Sequence, residues 1–423
     1  MTSAVTTMNA APHRLAARRA VEALRSGVPS RDAVAALGSG QATVEDRFGE
    51  LLDGVGSARR GQRGLLLGGG FGTGKSHVLE HLAHLALDRN FAVSRIVVSK
   101  ETPLHDPAKV LRAAVESAVS PDGAVGAVAE AAAGLDPDSP GYAALLGWAS
   151  GSAAPVDEWF PVTLQLHPRV LGGEADFADA IVRFWSGDRL AVAEVRRHAK
   201  WAGLGRLALA AVSARELARQ RFRFLARLFV AAGYEGWVLL FDEVELIGRY
   251  TLLQRGRSYA ELAGWLRPDP DDPASPLGAV LAITDDFDAA VLTAKNDREV
   301  VPTRLRAKQT AEWGGAAEAA EAAMAAIARD MLLLQAPDAD EIDHAYRRVK
   351  ELHSEAFGWT APDVAGLERL GTTRMRQYVR AWINEWDLVR LDPAFRPHSE
   401  VTPVTFSYAE QPELDRHESG QQP

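Results

Sequence analysis

The feature that most constrains this chain is the segment GGFGTGKS, which occupies residues 69–76. It fits the pattern Gly-x-x-x-x-Gly-Lys-Ser, in which the glycines let the backbone curl around a chain of phosphate groups. The apolar run RGLLLGG before it predicts a buried strand, and the amphipathic segment SHVLEHLAHLALDRN after it predicts a helix. This order of strand, loop and helix predicts a parallel α/β sheet covered by helices, with the ligand at the carboxyl edge of the sheet.

The loop also contains the residue types that phosphate chemistry needs. Lys75 is expected to reach the β and γ phosphates of a nucleotide, and the hydroxyl of Ser76 is expected to ligate Mg²⁺. The helix that follows adds its positive amino end. The predicted nucleotide-binding residues are Gly69, Gly70, Phe71, Gly72, Thr73, Gly74, Lys75, Ser76 and His77.

A second motif, WVLLFDEVE, ends an apolar run with two carboxylates, Asp242 and Glu243. Asp242 is expected to assist in holding Mg²⁺, and Glu243 is expected to orient and activate a water for attack on the γ phosphate. A kinase-like protein has no need of a second carboxylate beside a water, so the pair favours hydrolysis over transfer to another substrate. The alternative interpretation is two surface acids at the end of a strand.

The segment GAVLAITDD predicts a further buried strand, which ends at Thr284. A polar side chain at this position could contact the γ phosphate or the attacking water. Asp285 is the neighbouring alternative, and a simple N-cap for the next helix is a third interpretation.

An arginine close to the γ phosphate would stabilise the charge of the transition state. The segment GTTRMRQYVRAW provides Arg374 and Arg376 at the start of a predicted helix, and we favour one of these two as a catalytic residue. The segment DREVVPTRLRAK provides the competing residues Arg298, Arg304 and Arg306. Because only seven of the 47 basic residues are lysine, arginine placement alone is a weak signal in this chain.

The pattern of elements predicts four segments. Residues 1–44 form a helical arm, in which Ser30 is the expected N-cap of a helix beginning at Arg31. Residues 45–310 form the nucleotide-binding core, with a helical insertion at about 107–230. Residues 311–392 form a helical lid, and residues 393–423 form a polar tail that we expect to be disordered.

Composition excludes several other functions. The chain has no cysteine, which excludes disulfides, iron–sulfur clusters and thiol catalysis. Its net charge of −9 argues against a protein coated in nucleic acid but leaves a local basic groove possible. No apolar run approaches the roughly 18 residues that span a bilayer. We therefore expect a cytoplasmic protein without a membrane partner.

Three further patterns have ordinary structural interpretations that we prefer. His77, His81 and His84 have metal-ligand spacing on one helix, but no supporting carboxylate pattern accompanies them. The helix ARELARQRFRFLARLF mixes arginine with phenylalanine, as nucleic-acid binders do, although packing on the sheet explains it more simply. Arg255 and Arg257 could face a neighbouring subunit or a polymer, and we expect solvent exposure instead.

Taken together, these motifs resemble the AAA+ ATPases, and within them the origin-recognition-like branch. More narrowly, the chain resembles the ATP-binding proteins of the BREX phage-defence systems, the BrxC/BrxD type, and its length suits the shorter members. The stretches that carry this resemblance are RRAVEALRSGVPSRDAVAALGSG, GGGFGTGKSHVLEHLAHLAL, VVSKETPLHD, FDEVELIGRY and RMRQYVRAWINEWD.

The resemblance implies ATP and Mg²⁺ as ligands, with Lys75 and Ser76 in the Walker A motif, Asp242 and Glu243 in Walker B, and Thr284 as sensor 1. Arg376 matches a position that usually follows proline, but Met375 precedes it here, so Arg374 remains a competitor. The implied partners are other defence-system proteins, namely a methyltransferase and a helicase-like protein. Direct DNA contact and assembly into a homo-oligomer stay open.

The leading hypothesis is therefore an ATP-hydrolysing protein that couples turnover to the remodelling of partner proteins or DNA. A nucleotide-gated scaffold with negligible turnover is the alternative. A signalling switch of the apoptotic NTPase type is less favoured, because such proteins normally carry long repeat domains and we expect none here.

Overall fold

The computed structural model describes residues 3–27, 30–57, 62–151, 154–205, 207–364 and 375–395. Five parallel strands form one sheet in the order β2-β3-β4-β1-β5. The strands are β1 (Gly64–Gly68), β2 (Phe91–Val97), β3 (Gly236–Asp242), β4 (Leu277–Ile283) and β5 (Leu332–Leu333).

Helices make up most of the rest of the described chain. They are α1 (Ser3–Ser26), α2 (Arg31–Leu37), α3 (Ala42–Gly56), α4 (Lys75–Asp88), α5 (Pro107–Glu116), α6 (Ala127–Ala133), α7 (Pro140–Ser150), α8 (Trp159–Val170), α9 (Ala175–Ser186), α10 (Val192–Trp201), α11 (Ala214–Ala231), α12 (Leu252–Leu266), α13 (Asp297–Arg306), α14 (Ala311–Arg329), α15 (Ala339–Phe357) and α16 (Met375–Leu391). A 3₁₀ helix at Val244–Arg249 follows β3, and a π-helical turn at Asp288–Thr293 follows β4.

The predicted α/β class, a parallel sheet covered by helices, is confirmed. The four longer strands are almost continuously apolar and are buried on both faces, as parallel strands are when helices cover them. On one face, Leu65, Leu67, Val238 and Leu240 pack against α3 and α4. On the other face, alternate residues of the same strands pack against α5, α11 and α12.

The sheet order explains where a ligand could bind. Strand β4 lies between β1 and β3, so the segments that follow these three strands meet at one carboxyl edge. The register pairs Gly68 with Ile283 and pairs Val97 with Asp242, so the ends of the strands are nearly level. The loop after β1 therefore lies close to the residues that end β3 and β4.

The segment predicted as a helical insertion, at about 107–230, contains helices α5 to α11, and α11 packs against the sheet. The predicted N-cap is also present, since the backbone N–H of Ala33 donates to Ser30 Oγ at 3.2 Å. The segment 311–392, which the sequence predicts to be a helical lid, also contains the short strand β5 at the edge of the sheet. There the Leu334 N–H donates to the carbonyl of Gly68 at 2.7 Å.

A separate apolar cluster joins the two ends of the described chain. Val21 of α1 packs with Val349 of α15 and with Trp382 and Trp386 of α16. In contrast, α14 packs against α12 and α13 in the large cluster of the sheet. The helices that the sequence assigned to a lid thus pack in two places, with α15 and α16 beside the N-terminal arm.

Two sequence predictions lie partly or wholly outside the described residues: the position of Arg374 and most of the 393–423 tail. Within the described ranges, none of the helices has the length and apolar character needed to cross a membrane.

Candidate functional site

The segment after β1 forms a tight loop that opens directly into α4. Gly72 and Gly74 have φ values of 84° and 106°, in the left-handed region that favours glycine. The loop starts where the Gly69 N–H donates to the carbonyl of Ile283 at 3.1 Å, and it turns where the Thr73 N–H donates to the Gly70 carbonyl at 3.2 Å. The amino end of a 14-residue helix therefore faces the inside of the loop.

Gly69 lies in a cradle that a side chain would fill. A Cβ atom placed there would come within 2.6 Å of Thr73 Oγ1. The pattern Gly-x-x-x-x-Gly at this position is thus explained by close packing as well as by backbone angles. Such a compact backbone loop at a helix start is the arrangement that surrounds phosphate oxygens.

Lys75 is buried at the first position of α4, where its amino group contacts the base of the loop. Nζ donates to the carbonyl of Gly69 at 2.9 Å and lies 3.4 Å from Oε1 of Glu245. The residue is 7% exposed. Its charge is therefore held inside the loop, in the place where the sequence predicts that it meets phosphates.

Strand β3 ends in an abrupt change of backbone direction. Asp242 is the last residue of the strand, and its Oδ1 accepts from the N–H of Glu243 at 2.9 Å. Glu243 has φ 58° and ψ 32°, a left-handed conformation that is unfavourable for a residue with a side chain. The result is that Asp242 stays with the sheet and is 8% exposed, whereas Glu243 reaches the cavity described below.

The electrostatic setting of Glu243 fits a carboxylate that accepts protons. Burial raises its pKa above the ordinary value, and the charge of Asp242 adds to this increase. Lys75, Arg376 and Arg249 act in the opposite direction. Residues predicted from three separate segments, those of Lys75, Glu243 and Arg376, therefore influence one another electrostatically.

Glu245 was missed in the sequence analysis, although the third acid of DEVE was a visible signal. It is 1% exposed, and its Oε2 has no hydrogen-bond partner among the residues described. Burial raises its pKa to about 7, against the smaller lowering effect of Lys75.

Thr284 follows β4 at the carboxyl edge and is 4% exposed. The neighbouring alternative, Asp285, is exposed and lies beside the loop, since a Cβ on Gly70 would be 3.6 Å from Asp285 Oδ2. Both residues are therefore at the correct edge of the sheet. Their roles remain predictions.

The C-terminal arginine candidate contacts the N-terminal arm. Arg376, in the first turn of α16, donates from Nη2 to the carbonyl of Gly27 at 2.6 Å. Gly27 has φ 68°, and a Cβ there would lie 3.0 Å from Arg376 Nε, so glycine is needed for this contact. The competing Arg304 and Arg306 are exposed on α13, and Arg306 pairs with Glu321 at 2.7 Å.

These elements surround a cavity of about 480 Å³, a size typical of small-molecule sites. Its walls come from the loop after β1, from the N-terminal arm and from α15 and α16. The lining residues are Leu24, Gly27, Ala33, Leu37, Gly38, Ser39, Gly40, Gln41, Phe71, Gly72, Thr73, Gly74, Lys75, Ser76, His77, Val78, Glu243, Gln335, Pro337, Asp338, Asp340, Glu341, His344, Ala345, Met375, Arg376 and Val379.

The contribution of the arm to this cavity was not predicted. Gly38 and Gln41, from the glycine-rich connection between α2 and α3, form part of the wall. Gln41 exchanges two hydrogen bonds with the backbone of Gln335, at 3.2 and 2.8 Å, and this connects the arm to the segment before α15.

His77 has a structural partner in the arm. Its Nε2 lies 2.7 Å from the carbonyl of Gly38, and burial lowers its pKa. His81 and His84 lie near different carboxylates, Glu45 and Glu80. The three histidines thus contact separate groups, and no His, Asp and Glu cluster suited to a metal is present in the part of the chain that the structure describes.

The arginine-rich helix α11 packs inside the protein. Its phenylalanines Phe222, Phe224 and Phe229 are buried against the sheet cluster. Its arginines pair with acids of the same chain, for example Arg223 with Asp269 at 2.6 Å and Arg227 with Asp272 at 2.6 Å. These contacts support the packing interpretation that we preferred.

The prediction that Arg255 faces solvent is wrong. It is 3% exposed and pairs with Asp297, which is itself fully buried, at 2.9 Å. The tertiary contact of α12 with α13 determines this position and is invisible in the local sequence. Arg257 is partly buried and lies over the ring of Trp313, 4.5 Å from its centroid.

The sheet, the glycine loop and the buried lysine at the helix start are consistent with a P-loop NTPase-like fold. Residues 13–130 match the family model described as BREX system ATP-binding protein BrxC/D, so the resemblance seen in the sequence is confirmed for this part of the chain. The matched segment runs from α1 to α6 and includes the loop and Lys75. No curated protein matches the chain. No solved structure matches it either.

Proposed function

We propose that this protein is an AAA+-type ATPase that binds ATP with Mg²⁺ in the cavity between the P-loop and α16 and hydrolyses it there. One observation carries the proposal: Lys75, Glu243 and Arg376 arise from distant segments and line the same cavity. A chance glycine turn would not collect a buried lysine, a carboxylate with a raised pKa and an arginine around one space of nucleotide size.

The loop and the residues beside it would hold the nucleotide. The backbone N–H groups of the loop and the amino end of α4 would bind phosphate oxygens, and Lys75 would reach the β and γ phosphates. The oxygen ligands Ser76 and Asp242 fit Mg²⁺, which usually retains waters and phosphate oxygens and needs few protein ligands. When bound, Mg²⁺ would neutralise charge on the phosphates.

Glu243 would act as the general base. Its left-handed backbone turns the residue away from the strand and toward the cavity, and its raised pKa favours taking a proton from water near neutral pH. Thr284, at the end of the strand between β1 and β3, would position the water or the γ phosphate.

Arg376 would transmit the state of the nucleotide to the rest of the protein. It belongs to α16, which packs with α1 and α15 in one apolar cluster. An arginine that contacts the γ phosphate would hold this cluster against the core, and hydrolysis would weaken that contact. The moving unit would then be the arm together with α15 and α16.

We further propose that the protein acts in a BREX-type phage-defence system. The support is the family match over residues 13–130, whose description is an ATP-binding protein of that system. Its expected partners are the other proteins of the system, among them a methyltransferase and a helicase-like protein.

The test compares two variants in a host that carries the complete defence system. Lys75→Ala should lose nucleotide binding and restore phage plating. Glu243→Gln should retain binding, lose turnover and also restore plating. Full defence by Glu243→Gln, together with loss of defence in Lys75→Ala, would contradict the motor and support a nucleotide-gated scaffold.

The matched control is Glu235→Gln. Glu235 is exposed and immediately precedes the amino end of β3, whereas Glu243 follows its carboxyl end. The control should keep both turnover and defence. Equal loss in Glu235→Gln and Glu243→Gln would assign the effect to folding and remove the support for a catalytic carboxylate.

A further inference from the structure

A third carboxylate lies at the proposed site without a role in hydrolysis. Glu245 belongs to the 3₁₀ helix Val244–Arg249, which begins directly after Glu243. It is 1% exposed, so water does not screen its charge. Its Oε1 lies 3.4 Å from Lys75 Nζ, and its Oε2 has no hydrogen-bond partner among the described residues.

Lys75 is therefore placed between two acceptors. Nζ donates to the Gly69 carbonyl at 2.9 Å and faces Glu245 on another side. An ammonium group has three donors, so at least one remains for a phosphate oxygen. The backbone carbonyl is fixed by the loop, which leaves the carboxylate as the charged group that competes with a phosphate for this lysine.

The charge of Glu245 also acts on the phosphates themselves. A triphosphate that reaches Lys75 brings several negative charges to the far side of the same ammonium group. Like charges that are not screened by water repel strongly, because the interaction rises as the local dielectric constant falls. A buried carboxylate with one oxygen unsatisfied has no other cation to offset this repulsion among the interactions described.

We propose that Glu245 is a positioning residue that holds Lys75 in the nucleotide-free protein and weakens ATP binding by competing for this lysine. The inference rests on the proposed function, since it names a regulator of the same site. Its consequence is faster nucleotide release than the loop and lysine alone would give. A neutral side chain of the same shape should remove the competition and leave the loop intact.

The experiment measures binding of a non-hydrolysable ATP analogue with Mg²⁺ to the full chain by calorimetry at pH 8, where most of Glu245 is ionised. Glu245→Gln should bind the analogue on the order of tenfold more tightly, which corresponds to about 1.4 kcal/mol of removed repulsion. Most of the change should be slower dissociation. Unchanged or weaker binding by Glu245→Gln would overturn the inference.

Two controls separate charge from packing. Glu245→Asp keeps the negative charge and should bind with near wild-type affinity; tightening in both variants would show that side-chain size matters and would overturn the inference. Glu261→Gln neutralises another buried glutamate, which pairs with Arg215 and Arg219 away from the cavity. It should leave affinity unchanged, and an equal tightening there would also overturn the inference.

The wild type and Lys75→Ala distinguish this inference from the proposed function. Wild-type binding that is lost in Lys75→Ala, together with no tightening in Glu245→Gln, would overturn the role of Glu245 alone. Absence of binding to the wild type would overturn both proposals.

Discussion

Two regions of this protein that are rich in charged side chains differ in how those side chains are paired with other groups of the same chain. In α11, Arg223 binds the carboxylates of Asp269 and Asp271 and the carbonyl of Pro155, and Arg215 and Arg219 share Glu261. At the carboxyl edge of the sheet, Glu245 retains an unsatisfied oxygen and Glu243 has a raised pKa and a strained backbone. Both regions are rich in charge, but the arginines named in α11 pair with carboxylates, whereas Glu245 beside the P-loop keeps an oxygen without a hydrogen-bond partner among the described residues.

The difference separates structural charges from candidate functional ones. Buried polar groups are normally paired within the fold, and a group that departs from this rule calls for an explanation such as a missing ligand. Residue composition does not make this distinction, because both regions contain arginines and carboxylates. Partner geometry does, and it favours the cavity beside the P-loop as the functional site.

A large loss of turnover should follow from removing the arginine that lines the cavity. Arg376→Ala should reduce ATP turnover by on the order of 10²–10³-fold, the loss typical of one preorganised group that stabilises transition-state charge. Steady-state phosphate release measures this effect. Arg380→Ala, one turn further along α16, exposed and outside the cavity lining, is the matched control. Similar losses in both variants would place the effect in the packing of α16.

Removing an arginine that is already paired within the protein should reduce stability and leave the nucleotide site unchanged. Arg223→Ala should lower the free energy of unfolding by about 2–4 kcal/mol, because the buried guanidinium loses its charge-assisted hydrogen bonds to Asp269 and Asp271 together with its packing. Urea titration measures this loss. ATP affinity of the folded fraction should not change, and a large loss of affinity at full stability would break the distinction between the two regions.

The smallest effect concerns pH. Burial raises the pKa of Glu245 from 4.5 to about 7, so the folded state binds more protons than the unfolded state between these values. Glu245 therefore adds about 1–3 kcal/mol to the free energy of unfolding below pH 4.5, and this stabilisation is lost as the pH rises through 7. Lys75 and Glu243 are the charged groups that act on it.

The difference in unfolding free energy between wild type and Glu245→Gln isolates this contribution. Wild type should lose stability relative to the variant between pH 5 and pH 8. Urea midpoints at these two pH values provide the comparison. An equal difference between wild type and variant at both pH values would show that Glu245 has an ordinary pKa.

Short sequence patterns predicted the elements of this fold that are determined by neighbouring residues. The apolar strands, the helix after the loop and the cap at Ser30 each follow from a few consecutive residues. Strand β5 is two residues long and has no pattern of its own. The burial of Arg255 depends on Asp297, 42 positions later, so no local signal indicates it.

The candidate site also has parts that local sequence patterns predict and parts that they do not. Its glycine loop and the two acids after β3 are contiguous motifs, which the sequence displays directly. The wall from Gly38 to Gln41 and the contact of Arg376 with Gly27 join segments more than 290 residues apart. Such contacts arise from tertiary packing, and a single sequence taken by itself gives no pairing information about them.

The most direct test of ATP hydrolysis at this site is a single-turnover measurement of phosphate release from Mg²⁺ and ATP bound to wild type and to Glu243→Gln. If Glu243 is the general base, the two proteins should bind equal amounts of nucleotide, and the variant should release phosphate about 10²–10⁴-fold more slowly, the range for loss of a general base. Equal rates in the two proteins would contradict the claim that Glu243 activates water at this site.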